Sequence, residues 1–179
     1  MVGLAVAVAG VALVGSIVAW GVLTPRPSDG RLAIAVHDAP CSACSHVWVT
    51  FTSVAVHASN GSGSGWTTIN VSGATVDVAT LNGTAMAKTI GIGTLAPGHY
   101  EQVRLTVSRV VVELANGTNV TASVPNATSA DVNGPFDIAA GSTTTISIDI
   151  DLASSLHVQS NGPVVRAVFT PHLGSVVVG

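Results

Sequence analysis

The run Val2 to Leu23 constrains this chain before any other feature does, because it contains no charged side chain and no Asn or Gln. About 18 or more apolar residues suffice to cross a bilayer core, and a lone segment can satisfy its backbone there only as a helix. The expectation is a transmembrane anchor over residues 1–23. Secretory signals carry a basic leader and an apolar core of about 7 to 15 residues. Here the core is longer and only Met1 precedes it, which favours an uncleaved anchor, with release after Ala19-Trp20-Gly21 as the alternative. Residues 24–30 include Pro25 and Pro27, which cannot donate to a helical ladder, and read as a short stiff stalk. Residues 31–179 then supply one domain with enough chain for a single core.

The side of the membrane follows from the asparagines. Arg26 and Arg31 lie after the span with nothing basic ahead of it, which by charge alone would leave the domain in the cytoplasm. Six of the eight asparagines argue otherwise: Asn60, Asn70, Asn82, Asn116, Asn119 and Asn126 each begin an Asn-x-Ser/Thr acceptor. Chance would give about one or two in a chain with this much Ser and Thr. Each lies in or beside a stretch rich in Gly, Ser or Thr, where a glycan can point into solvent. The expectation is a single-pass protein of the cell membrane with an N-glycosylated extracellular domain. Nucleic acid is excluded as a partner, since a net charge of −3, one lysine and scattered arginines give no basic patch to neutralise phosphates.

Val, Ala, Ser, Thr and Gly dominate the composition, and only 8% of residues are charged, which is strand and turn usage rather than helical-surface usage. Residues 31–37 alternate, with Leu32, Ile34 and Val36 on one face. Residues 46–57 also alternate but change parity between Phe51 and Val54, which predicts a bulge near Thr52 and Ser53. The same break in residues 102–114, the longest strand signal, predicts a second bulge at Ser108 and Arg109. Further strands are expected at residues 66–71, 75–81, 120–124, 136–139, 143–152, 164–169 and 175–178, with a loop over residues 125–135. Residues 85–95 suit a short helix or a strand equally. Nine or ten short strands at this spacing predict an all-β fold, an antiparallel β-sandwich of immunoglobulin-like or transthyretin-like type.

The chain resembles the DUF4382 domain family, a β-rich module of archaeal and bacterial surface proteins. His37-Asp38-Ala39-Pro40, Val54-Ala55-Val56-His57, Trp66-Thr67-Thr68-Ile69 and Val76-Asp77-Val78 carry the resemblance. So do Gly93-Thr94-Leu95-Ala96-Pro97-Gly98-His99-Tyr100, Gln102 to Leu105, Ile148 to Leu152 with Ser155-Leu156, and Pro163 to Phe169. It spans residues 31–173 and implies a secreted or anchored sandwich, archaeal in origin, with no established activity. The chain departs from the family pattern by inserting Cys41-Ser42-Ala43-Cys44 after the Asp-Ala-Pro turn.

That insertion carries the densest chemistry. In an oxidising exterior, Cys41 and Cys44 are expected to form a disulfide. His37, Cys41, Cys44 and His46 are four ligand types within ten residues, so a zinc or copper site is the alternative, and a redox dithiol a third. Asp149 and Asp151 share an outward parity that suits paired carboxylates or a hard cation, although a solvated sheet face, with an arginine nearby, explains them as well. Asp38 is expected to make a local turn bond. No nucleophile elbow, His-Glu-x-x-His helix or phosphate loop occurs, so no enzyme and no cofactor is expected. The function read from the sequence is a membrane-anchored glycoprotein with a structural or adhesive role, its partner a surface glycan or protein. Two alternatives remain: a filament subunit, pilin-like or strand-exchanged, that self-assembles through the apolar N-terminus or by strand addition through residues 175–178, and a small metal-binding surface domain using the Cys/His loop.

Overall fold

The computed structural model describes residues 28–38, 44–59, 65–125, 128–162 and 164–179. No helix among them is long and apolar enough to cross a membrane. The expected anchor, most of the stalk, Cys41, Asn60 and Asn126 lie outside the described residues.

The described chain is almost entirely strand. Its elements are β1 (Gly30–Asp38), β2 (Cys44–Ala58), β3 (Gly65–Asp77), β4 (Lys88–Leu95), β5 (Gly98–Leu114), β6 (Asn119–Ala122), β7 (Ser129–Ile138), β8 (Thr143–Ile150), a single turn α1 (Leu152–Ser155), β9 (Leu156–Asn161), β10 (Val164–Phe169) and β11 (Leu173–Val178). One sheet runs β11-β8-β1-β4. The other runs β3-β2-β5-β6, and β7 takes the same flank of β5 beyond β6, pairing residues 98–106 where β6 pairs residues 110–113. A β9-β10 hairpin is tied to β6 by the Ser123 and Val168 bridge. Sequence alternation builds the core between the sheets: Leu32, Ile34 and Val36 from the first meet Val47, Val49, Val54, Val56, Val103 and Leu105 from the second in one apolar cluster.

Both expected bulges are present. The β2 ladders lose register between Phe51 and Ser53, and the β2–β5 ladder shifts again between Thr50 and Phe51, where Arg109 gives way to Val107. Each restores the inward face, so Phe51 and Val54 are both buried, as are Val107 and Val110.

Several expectations need correction. The β1–β8 pair is parallel, so the sheets are not purely antiparallel. The stalk ends one residue early, since Gly30 already pairs with Leu95. The two strands expected at residues 66–71 and 75–81 are one bulged strand, β3, with Gly73 at φ +68° in the bulge and a 3-10 turn over Val78–Thr80. Residues 85–95 divide into a 3-10 turn, Thr84–Met86, and the strand β4. The expected loop at residues 125–135 holds much of β7 instead. Its ladder breaks between Tyr100 and Gln102, opposite Gly134 and Pro135, so the proline costs no ladder bond. Gly134 fits there because a Cβ would collide with Val176 of β11. Leu152 is buried as expected, but in α1 rather than at the end of β8.

Candidate functional site: the outward face of the β3-β2-β5-β6 sheet

Pairing across the second sheet stacks its outward residues in rows. One row is Asp77, Trp48, Val111 and Thr121, contributed by β3, β2, β5 and β6 in turn. The next row is Thr75, Thr50 and Arg109, and on the other side His46, Glu113 and Asn119 align. These side chains face solvent because their sequence neighbours Val47, Val49, Val110 and Val112 fill the core.

The first two rows enclose a shallow groove of ≈ 480 Å³ lined by Trp48, Thr50, Thr75, Arg109, Val111, Asn119 and Thr121. Trp48 is its platform, and two hydrogen bonds and a ring stack hold it in place. Asp77 accepts the backbone N–H of Val47 at 3.0 Å and binds His46 Nδ1 at 2.5 Å. The fixed imidazole then stacks on the indole, with ring centroids 5.2 Å apart and planes 13° from parallel. The Asp77 hydrogen bond raises the His46 pKa above its usual value, so the pair is charged in mild acid. Thr50 and Thr75 share a 2.9 Å hydroxyl contact on the rim. Arg109 is exposed and makes no ion pair among the described residues.

The residues singled out from the sequence are placed elsewhere. His37 is buried on the outward parity of β1, 3.5 Å from Asp149, with its Nε2 unpartnered, while His46 stands on the other sheet with its own aspartate. The two histidines do not converge, and among the described residues no group of three His, Cys, Asp or Glu is placed to hold a metal. Cys44 opens β2, half-buried, and no described cysteine is a free thiol. Asp149 and Asp151 part company: the first faces His37, and the second caps α1 through Ser154, which holds its carboxyl below the usual range. Neither has an arginine partner among the described residues. Asp38 is buried and accepts the N–H of Leu152 at 3.2 Å, joining the end of β1 to α1, while the loop 39–43 on which its expected turn bond falls lies outside the described residues. Asn82, Asn116 and Asn119 are exposed; the side chain of Asn70 is not among those described.

The groove itself escaped the sequence reading. Its one linear signal is Trp48, an aromatic on the polar parity of a strand in a chain with three tryptophans. Arg109 falls on the same face only once the bulge beside it is counted.

No curated protein and no solved structure matches the chain. A family model does, that of the domain of unknown function DUF4382, over residues 29–165. With most of its length matched, from the start of β1 into β10, the chain belongs to the DUF4382 family.

Proposed function

We propose that this protein is a membrane-anchored, N-glycosylated β-sandwich of immunoglobulin-like or transthyretin-like type, displayed outside an archaeal cell, with an adhesive or structural role exerted through the Trp48 groove. The observation that carries the reading is the indole of Trp48, fixed by the Asp77–His46 relay beside hydroxyls and a guanidinium on an open sheet face. A surface aromatic packed against a neighbouring ring in advance of binding lowers the ordering cost of a contact, which is what a recognition site requires. The apolar run Val2 to Leu23 supplies the anchor, and the exposed Asn82, Asn116 and Asn119 are accessible acceptors. The Cys41–Cys44 disulfide belongs to the same exterior setting. The partner is a surface glycan or protein.

Protease applied to intact cells trims the domain if it faces outward; trimming only after lysis refutes that orientation. Labelled full-length chain binds isolated cell envelopes, and Trp48→Ala loses that binding while Trp66→Ala keeps it; equal binding by both variants refutes the groove. A filament reading draws on β11, whose Val177 and Val178 are 42% and 49% exposed on a sheet edge, although the strand is paired with β8 of its own chain.

A further inference from the structure

The two tryptophan-arginine clusters on the outward face differ in charge, and that difference narrows the ligand. At the far end of the sheet, Arg104 is bound through two nitrogens by Asp131, at 2.6 and 2.7 Å, and lies 4.1 Å from the centre of the Trp66 ring. Its charge and the ring face it covers are both spent within the protein. Arg109 has no carboxylate partner among the described residues and borders the groove. Asp77 is held by His46 and the Val47 N–H, and Glu113 stands one outward position beyond the lining residues, beside His46. The groove therefore offers one unspent cation at one end, apolar surface from Val111 and the indole face of Trp48 that His46 does not cover, and a rim of Thr50, Thr75 and Thr121.

We infer that the groove binds an acidic saccharide, one pyranose lying on Trp48 with its carboxylate on Arg109. The C–H face of a pyranose is apolar and flat enough to lie on an indole, while its rim of hydroxyls needs the short polar side chains that surround this one. Arg109 pairs with Thr50, two residues from Trp48, so it lies about 6.6 Å along and about 4.8 Å across the sheet from the platform. The two backbone positions are thus about 8 Å apart, a gap shared between a carboxylate on the stacked ring and the long arginine side chain. The planar guanidinium matches a carboxylate bidentately, and Glu113 at the opposite end repels the reversed orientation. This inference rests on the groove being a binding site, as proposed above.

The test compares tri-galacturonic acid with its methyl ester, in which methylation removes the charge of each carboxylate, by calorimetric titration of the full-length chain made in a host without N-glycosylation and from native cells. The acid binds about tenfold more tightly than the ester, and Arg109→Gln, an exposed substitution, removes the preference while both still bind. Trp48→Ala loses both. Equal affinity for acid and ester in the unsubstituted chain overturns the acidic specificity and leaves the groove reading standing. Absence of binding to either overturns the inference, while the groove reading is decided separately by envelope binding of the Trp48→Ala chain. Binding by the bare chain but not the native glycoform also overturns the inference, because the groove is then the seat of the chain's own Asn119 sugar.

Discussion

The Trp48 and Trp66 ends of one sheet use the same residue types to opposite effect. At the Trp66 end, Arg104 lies over the ring, Asp131 neutralises the arginine, and His57 meets the indole edge with centroids 5.2 Å apart. Every strong interaction there closes on another protein group. At the Trp48 end the histidine stacks on one face of the indole, the aspartate spends itself on that histidine, and Arg109 and the groove are left open. An arginine beside a tryptophan is thus not a site in itself; whether a carboxylate stands across the strand pair decides it. Asp131 faces Arg104 on β7, whereas β5 has β6 as its neighbour beside Arg109, and the nearest outward residue of that strand is Thr121, opposite Val111, rather than an acid.

The largest effect should come from the platforms themselves. Trp48→Ala is expected to weaken tri-galacturonate binding by about thirtyfold or more, the loss usual for a central aromatic anchor. Trp66→Ala should leave affinity within about twofold and instead cost about 0.5–1 kcal/mol of stability through the lost cation-π contact, read by chemical denaturation.

Asp77→Asn sharpens the contrast by loosening Trp48 without touching the ligand. Binding should fall by about threefold to tenfold, since the side chain must then be ordered on association. It also carries a pH signature. The folded His46 pKa lies above 6.5, with Asp77 and Glu113 facing the imidazole and favouring its charged form. Stabilisation by the pair is therefore complete below pH 6.5 and is lost as pH rises through the elevated folded value. Thermal unfolding of wild type against Asp77→Asn should show a stability difference that shrinks from mildly acidic to alkaline pH.

The smallest effect falls on the closed end. Arg104 holds the Asp131 carboxyl below its usual 3.8, so that pair stabilises above that pH and ceases to do so as pH falls through the lowered folded value. Both partners are largely exposed, so Asp131→Asn should cost at most about 1 kcal/mol near neutral pH. It should also release Arg104 and create a second, weaker tri-galacturonate site, visible as a stoichiometry above one.

What the sequence made legible was whatever period two reports. Alternating Val and Ile located β1, β2, β5 and β8, and the parity breaks at Thr52 and Ser108 located the bulges, because burial of one face leaves no other register. β9 was missed, since Leu156–Asn161 is polar and exposed toward its end and pairs only with β10. β7 was masked by Asn133-Gly134-Pro135, which reads as a turn until Tyr100 and Val176 are seen to require it. Asp38 and Leu152 lie 114 residues apart, a bond no local rule supplies. The groove shares that cause: its rows run across four strands, so Trp48, Arg109 and Asn119 become neighbours only when the registers are known.

The most direct measurement is the indole N–H resonances of the full-length chain, assigned through Trp48→Phe and Trp66→Phe and followed during titration with tri-galacturonic acid. The account predicts that the Trp48 resonance and the Arg109 side-chain N–H move together and saturate while Trp66 stays fixed. Movement of Trp66 with Trp48 unchanged would contradict it.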